Sequence, residues 1–526
     1  MMIFPQKLSN TWNRHYWLFA VVFLLLVVWG VILPKTMADA PWLDETFTFQ
    51  FAGLGRLPNI SVFETIKLIA LYDPHPPLYY ITQNIWSDVT GTSLFAINLL
   101  PLLYGLLAIA FMYKLGCLIF RTFTGGLLAS ILLGSSVFVI YYFHETRGYS
   151  LFLLVWVMAT YFYWSVIQAT HQERRWMRRG LLLALVCALY THYISLVFFG
   201  GLFLYHIAVE GNSVTRNPHM TQEQWGAIVR IFINAGLLFT PWFAVLILQI
   251  INSTQLTPAA PFINILAVLI KSTSNNLWIV VLPLLLYTLK FIKERSTRFL
   301  WIWLTIILIG LFSLNILFDY LYHARHIIPF TIIIILLLTK ALLALESVSH
   351  VISVAIVSLW VGMGFVYTST DTYLGFQPYL VPLDTMTNLD YIIESCVHAD
   401  DAVIMSIVPS ESESSLLATF NLYYYYNREY GILHLNSLLQ NNISPESIPS
   451  TLRPDDDEST LEAILETVNH LYLFQQPTIN NQAQLFNFDN TLREASFEQC
   501  LLWNQDSLVA WIYTQDDNCD ELTSCI

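Results

Sequence analysis

Long apolar runs alternate with short polar joints along most of this chain. Runs able to cross about 30 Å of hydrocarbon as helix lie at roughly 16–34, 94–120, 124–143, 149–169, 179–192, 194–209, 228–250, 275–292, 299–318, 327–346 and 350–368. The pattern predicts about eleven membrane-spanning helices. One joint is unlike the others: residues 35–92 form a long polar, aromatic stretch, and connections of that length are functional or disordered. Trp42, Phe47, Phe49, Phe51 and Phe63 argue against disorder. Within it, Ser61–Leu71 places Val62, Ile66 and Ile69 on one helical face, as in a helix lying in the membrane interface. The apolar Ile263–Ile270 is expected to lie along the membrane in the same way.

The first apolar run ends near Ala38-Asp39-Ala40, a small-residue pattern that resembles a signal cleavage site. Pro41 follows directly and should block cleavage, so this run is read as a retained helix. After residue 368 the long runs stop. Shorter patterns predict helices at 389–397, 416–426 and 459–468 and strands at 402–408, 431–435, 471–475 and 507–513. Such alternation is that of a small α/β domain. The expected organisation is a membrane part, residues 1–368, and a water-facing domain, residues 369–526.

Composition agrees. Of 526 residues, 56% are hydrophobic and 12% charged, against about 25% charged in a soluble domain. The charge is divided sharply. From Ser369 onward there are 3 basic and 24 acidic residues, a net of −21, while the preceding part carries +8. So acidic a tail excludes nucleic-acid binding there. Lys and Arg gather at alternate joints: Lys7 and Arg14, Lys114 and Arg121, Arg174 to Arg179, Arg216, and Lys290 to Arg298. By the positive-inside rule the amino terminus is cytoplasmic and the acidic tail extracytoplasmic. Cys396, Cys500, Cys519 and Cys525 lie in that tail, where an oxidising exterior permits disulfides in more than one pairing.

The polar joints expected on the outer side carry the candidate chemistry. Asp44-Glu45 follows the first span, and Asp73-Pro74-His75-Pro76-Pro77-Leu78-Tyr79-Tyr80 closes the same joint. Glu145 and Arg147 follow the third run, His192 lies in Tyr190-Thr191-His192-Tyr193, and Lys271, Arg325 and His326 occupy later outer joints. Pro241-Trp242 marks an expected kink in the seventh span. Each has a plainer reading. Glu145 and Arg147 could form a local ion pair, Arg325 could be a snorkelling anchor, and His192 an interfacial hydrogen-bonding residue. The tail shows neither a Gly-rich phosphate loop nor metal-spaced His and Cys.

Taken in order, Asp44-Glu45, Asp-x-His-Pro-Pro-Leu-Tyr-Tyr at 73–80, Glu-x-Arg-x-Tyr at 145–149, Thr-His-Tyr at 191–193, Pro-Trp at 241–242 and Arg-His at 325–326 resemble the GT-C glycosyltransferases. Within these the chain is similar to the protein mannosyltransferase and lipid A aminoarabinose transferase group, over roughly residues 10–368. The resemblance implies a polytopic α-helical membrane protein of GT-C fold that transfers sugar from a polyprenyl-phosphate carrier to a lipid, glycan or protein acceptor outside the cytoplasm. It also implies that Asp44 and Glu45 belong to the active site. Asn98 departs from the pattern, because many relatives carry Arg there.

The chemistry fits that implication. A sugar phosphate already has a good leaving group, so the two carboxylates of a glycosidase are unnecessary. Asp44 alone, as general base, could deprotonate the acceptor in a single inverting displacement. Arg325, Arg147 and Lys271 are candidates to stabilise the departing phosphate. His75, Tyr79, Glu145, His192 and His326 complete the expected substrate-binding set. Glu45 and His75 could bind the acceptor or a divalent metal, although one His and two acids do not establish a metal site. Two other classes compete: a flippase or binding protein for lipid-linked sugars, and a membrane anchor displaying the tail. Transporters often show paired repeats with broken helices, and none is visible in the sequence.

Overall fold

The computed structural model describes residues 11–35, 39–40, 43–54, 60–168, 174–211, 221–252, 261–318, 324–370, 381–382, 402–406, 432–434, 470–475, 492–493, 497–505 and 508–514. For some of these, Asp44 among them, only the backbone is described. The chain divides into two compact units, one of Met1–Thr36 and Ser61–Pro378, the other of Met37–Ile60 and Tyr379–Ile526.

The first unit is helical. It begins with α1 (Thr11–Ile32), and α2 (Leu43–Ala52) belongs to the other unit. Then follow α3 (Val62–Tyr72), α4 (Leu78–Thr90), α5 (Leu94–Phe120), α6 (Phe123–Gly134), α7 (Val137–Tyr141), α8 (Tyr149–Gln168), α9 (Arg174–Leu189) and α10 (Ser195–Tyr205). A π-helical turn, His206–Glu210, extends α10. Next come α11 (Gln222–Asn252), α12 (Phe262–Thr273), α13 (Trp278–Tyr287), α14 (Arg295–Phe318), a 3₁₀ turn at Ala324–Ile327, α15 (Phe330–Glu346) and α16 (His350–Ser369).

Local chemistry sets several of these boundaries. Ser61 and Glu64 form a capping box at α3, with Ser61 N donating to Glu64 Oε2 at 2.9 Å and Glu64 N to Ser61 Oγ at 3.3 Å. Ser93 and Thr122 cap α5 and α6 through Ala96 N and Gly125 N. Arg121 ends α5 in the left-handed region, φ +57°.

Each expected apolar run coincides with helix. Among the described residues, five helices are long and apolar enough to cross a membrane, or six if the bent pair α12 and α13 is one span. The run expected at 124–143 is not one helix: it breaks at Ser135-Ser136 between α6 and α7. Asn275 supplies what the break leaves unpaired. Its Oδ1 accepts from Val137 N at 3.0 Å, and its Nδ2 donates to the carbonyls of Ser135 and Trp360 at 2.8 and 3.1 Å. Asn275 itself occupies the corner where α12 and α13 meet at 91°. α11 continues through Pro241 as one helix.

α8 is the interior helix, with 83% of its apolar window buried, against 22% for α16 and 33% for α11 and α14. Ile309, Phe312 and Ile316 on α14 and Val351 and Phe365 on α16 are exposed. An apolar surface of this extent suits lipid rather than water. Small residues bring α5 and α6 together: a Cβ on Gly116 would meet Gly125 O at 2.8 Å and Gly126 Cα at 2.9 Å. At α10 and α14, Arg295 makes a bidentate pair with the buried Glu210, Nε to Oε1 at 3.0 Å and Nη2 to Oε2 at 2.6 Å.

In the second unit, β1 (Asp39–Ala40) pairs antiparallel with β2 (Val381–Pro382), tying the start of the long joint to the tail. The tail builds a five-stranded sheet from β3 (Ala402–Ser406), β4 (Ile432–His434), β5 (His470–Gln475), β6 (Glu498–Gln505) and β7 (Leu508–Thr514). Its order is β4-β3-β5-β7-β6. The first three strands are parallel, and the β6–β7 hairpin is antiparallel at the edge. The strands expected from the sequence are β3, β4, β5 and β7. β6 is an addition: a register shift between Leu501 and Trp503 breaks the alternation that would have marked it. The helices expected at 389–397, 416–426 and 459–468 lie outside the described residues. Cys500 is disulfide-bonded, and Cys396, Cys519 and Cys525 lie outside the described residues.

Candidate functional site

Asp73 caps the C-terminus of α3, its N–H donating to Ile69 O at 3.2 Å. Its carboxylate then turns the chain. Oδ1 accepts from the backbone N–H of His75 at 2.8 Å, an Asx turn, and also pairs with His75 Nδ1 at 2.8 Å. Pro76 and Pro77 follow, and α4 starts on Pro77, where a residue lacking an N–H loses nothing. Oδ2 of Asp73 accepts from Tyr80 OH at 3.0 Å, and that hydroxyl accepts from Arg147 Nη1 at 3.3 Å. Burial, the largest influence on the Asp73 carboxyl, pushes its pKa up. The charges of His75 and Arg147 and the hydrogen bonds from His75 and Tyr80 together outweigh it and hold the pKa below the usual range. Asp73 is an anion that fixes the geometry of a histidine.

The joint between α9 and α10 meets this turn. Leu78 N donates to Tyr190 O at 3.0 Å, and the His75 and His192 rings lie edge to face, 5.5 Å between centroids. His192 is buried and stacks on Phe152 at 4.8 Å. Its Nδ1 accepts from Ile194 N at 3.2 Å, so a neutral ring carries its proton on Nε2. Burial first, then the charges of His75, Arg147 and Arg325, push its pKa well below the ordinary value. His192 is thus a neutral donor, and its Nε2 has no hydrogen-bond partner among the described residues.

Two more joints complete the group. Arg147 is buried in the loop between α7 and α8, and the guanidinium of Arg325 lies over the Tyr149 ring at 6.0 Å. The His326 ring is 5.6 Å from that of His192. Four joints between helices therefore bring His75, Arg147, His192, Arg325 and His326 into one cluster. Two guanidinium groups and a fixed N–H donor make such a cluster suited to a phosphate.

Tyr79 is buried beside Gly148 and packs at 6.0 Å against Tyr80, the residue that bridges Asp73 and Arg147. Glu145 is buried in the same loop, its carbonyl accepting from Arg147 N at 2.7 Å. Lys271 is exposed near the end of α12, and no contact joins it to the cluster among the described residues. Glu45 is buried in the second unit, on α2, and the side chain of Asp44 lies outside the described residues. Asn98 accepts from the Thr146 hydroxyl, within the loop that carries Arg147.

Asp73 and Tyr80 were legible as part of the motif but not as its organising pair. The signal was available, since Asp-x-His followed by Pro-Pro is an Asx turn with a second donor in reach. Among the described residues, no group of three or more His, Cys, Asp or Glu is arranged to hold a metal ion.

Residues 74–237 match the family described as dolichyl-phosphate-mannose-protein mannosyltransferase. No curated protein matches the chain in sequence. Among solved structures, ArnT from Cupriavidus metallidurans in the apo state is similar at a TM-score of 0.60 and 12% identity, covering 96% of this chain and 99% of that one. The same ArnT bound to undecaprenyl phosphate aligns at 0.56 and 12% identity, over 96% and 98% of the two chains. The arabinofuranosyltransferase AftD from Mycobacteria aligns at 0.53 and 11% identity, over 96% of this chain and 40% of that one. In fold the chain is similar to these glycosyltransferases, and its residues 74–237 match the mannosyltransferase family.

Proposed function

We propose that the protein is an inverting glycosyltransferase that moves a sugar from a polyprenyl-phosphate donor to an acceptor on the extracytoplasmic face of the membrane. The observation that carries this reading is the gathering of Arg147, Arg325 and the His192 Nε2–H around the Asp73–His75 turn. The match of residues 74–237 and the undecaprenyl phosphate bound by a protein of the same fold support the donor class.

In this reading the acceptor nucleophile attacks the anomeric carbon as the bond from that carbon to the phosphate oxygen breaks. The configuration inverts in the single displacement, and the bond's electron pair leaves on the phosphate. Arg147 and Arg325, with the His192 donor, stabilise the charge that grows there, and preorganised donors in a dry site are worth most at such a point. For the proton of the nucleophile we assign the Asp44 carboxylate, with Glu45 as its neighbour, on the family resemblance. His75, Tyr79, Glu145 and His326 shape the substrate site, and Lys271 supplies a further outer cation. A lipid, glycan or protein acceptor is compatible with this chemistry.

The finer arrangement is proposed with it: about eleven crossings, a cytoplasmic amino terminus, and a transmembrane catalytic part up to residue 368. An acidic extracytoplasmic α/β domain follows from residue 369. The disulfide at Cys500 supports that side for the tail.

The test is a reconstitution of the purified protein in lipid nanodiscs with radiolabelled polyprenyl-phosphate sugars and envelope extracts as acceptors. Label should move to the acceptor, and polyprenyl phosphate should be released. Asp44→Asn should bind donor without transferring it, whereas Arg147→Ala and Arg325→Ala should weaken donor binding. In proteoliposomes, donor that crosses the bilayer with no transfer would identify a flippase instead. Transfer undiminished in Asp44→Asn would remove Asp44 as the base.

A further inference from the structure

A hydrogen-bonded chain outside the cluster reaches the backbone of the Asp73–His75 turn from behind. On α11, Trp242 Nε1 donates to Tyr193 OH at 2.9 Å, and Tyr193 OH donates to Gln249 Oε1 at 2.5 Å. Gln249 Nε2 then donates to the carbonyls of Asp73, at 2.7 Å, and Ile69, at 3.1 Å. The direction of every link is set by chemistry. An indole N–H only donates and a backbone carbonyl only accepts, so the Tyr193 proton must point to Gln249 and the Gln249 amide hydrogens to the turn. Burial raises the pKa of the Tyr193 phenol and keeps its proton in place.

The two carbonyls concerned mark where α3 ends. Ile69 O already accepts from Asp73 N, and Asp73 O lies one peptide before Pro74, whose missing N–H leaves the turn with fewer backbone bonds of its own. Gln249 is one polar residue in the apolar sequence Leu246-Ile247-Leu248-Gln249-Ile250-Ile251. A polar side chain in such a run carries a cost unless it is partnered, and here both its ends are used.

We propose that Gln249 is a positioning residue: through its paired amide bonds to Ile69 O and Asp73 O it sets where Asp73 presents the His75 ring to the phosphate cluster. It touches no substrate. The inference deepens the transferase reading and rests on it for its kinetic consequence only. The placement of His75 is measurable without any sugar.

The experiment uses the full chain in nanodiscs and two variants. Gln249→Glu keeps the acceptor for Tyr193 but has at most one hydrogen, and none when ionised, for the two carbonyls, and Tyr193→Phe removes one oxygen and leaves the amide donors. Carbethoxylation of His75 by diethyl pyrocarbonate, read by mass spectrometry, should speed up roughly fivefold or more in Gln249→Glu, the effect of losing about one net hydrogen bond, and less in Tyr193→Phe. His206, buried elsewhere in the unit, and the exposed His350 serve as internal references and should keep their rates. Turnover should fall by about ten- to a hundredfold in Gln249→Glu, and the losses from Gln249→Glu and His75→Ala should not add. If Gln249→Glu fails to fold, Tyr193→Phe carries the same readouts at smaller size.

Unchanged His75 labelling in the variants that fold, or labelling that rises equally at His206, overturns the role. Additive losses overturn it as well. Should the wild-type protein transfer no sugar, the transferase reading falls while the labelling result still decides the placement of His75.

Discussion

The Nδ1 of His192 accepts the N–H of Ile194 at 3.2 Å, and that one bond decides which ring nitrogen keeps the proton. Burial, with the charges of His75, Arg147 and Arg325, depresses the pKa of the ring far below its ordinary value. The unfolded chain therefore takes up a proton near pH 6.5 that the folded chain refuses, so stability rises with pH across that window and is lost below it. The melting temperature should fall between about pH 7 and 5, and His192→Gln, which retains an N–H donor, should flatten the slope. An equal slope in the variant would place the acid sensitivity elsewhere. Asp73, held low, adds a separate loss of stability only below about pH 4.

Asp73 receives three donors: His75 N, His75 Nδ1 and Tyr80 OH. In Asp73→Asn the amide oxygen can still accept from His75 and the NH₂ can face the Tyr80 hydroxyl, which also accepts, so the variant removes the charge that strengthens the hold on His75. Transfer should drop by about a hundredfold in assays of turnover. Tyr80→Phe, which loses the bridge to Arg147 but creates no clash, should cost about 1 kcal/mol of stability in thermal unfolding. A near-normal rate in Asp73→Asn would mean that the charge on Asp73 is irrelevant to turnover.

Gly364 and Gly362 lie two residues apart on α16 and offer a matched comparison. A Cβ on Gly364 would lie 2.0 Å from Ser135 O and 2.9 Å from Asn275 Nδ2, whereas one on Gly362 meets nothing within 4 Å. Gly364→Ala must push α16 off the bracket that Asn275 makes with the α6–α7 break, costing about 1–3 kcal/mol. Gly362→Ala should be neutral or stabilise by up to about 1 kcal/mol through helix propensity. Thermal unfolding in detergent should separate the two, and equal midpoints would show that α16 does not press on the break.

The buried Glu210 and the partly exposed Arg295 form a bidentate pair to which Tyr205 OH adds a hydrogen bond at 3.0 Å. Removing Arg295 strands the buried Glu210 carboxylate, so Arg295→Met should destabilise by about 3–5 kcal/mol. The double variant Glu210→Leu with Arg295→Met should recover much of that loss, as replacement of a whole pair by apolar side chains often does. A double variant no more stable than the single one would show that the pair is needed intact.

Helix positions were readable because a span needs a long apolar run, and length alone separates such runs from joints. Four of the tail strands were readable for a similar reason. The break inside the run at 124–143 was not, because Ser135-Ser136 is compatible with a continuous helix until Asn275, distant in sequence, is brought to it. β6 was hidden by its bulge. At the site, His75, Arg147, His192, Arg325 and His326 were each visible as polar residues at the ends of apolar runs. Tyr80 and Gln249 were not singled out, since one tyrosine among several and one glutamine in a span carry no local signal of their partners.

By itself the sequence determined the class of the molecule, the places of its long apolar helices, and the residue types at the polar joints between them. These follow from the length and spacing of apolar runs and from charge, all of them local. Only the tertiary structure decided that Asp73 aims His75, that Ile194 fixes the His192 proton, and that Gln249 holds their turn. The Gln249 bonds join separate helices, and even the bonds between residues two apart, Asp73 to His75 and Ile194 to His192, are specified by distance and direction in space, which no spacing along a chain contains.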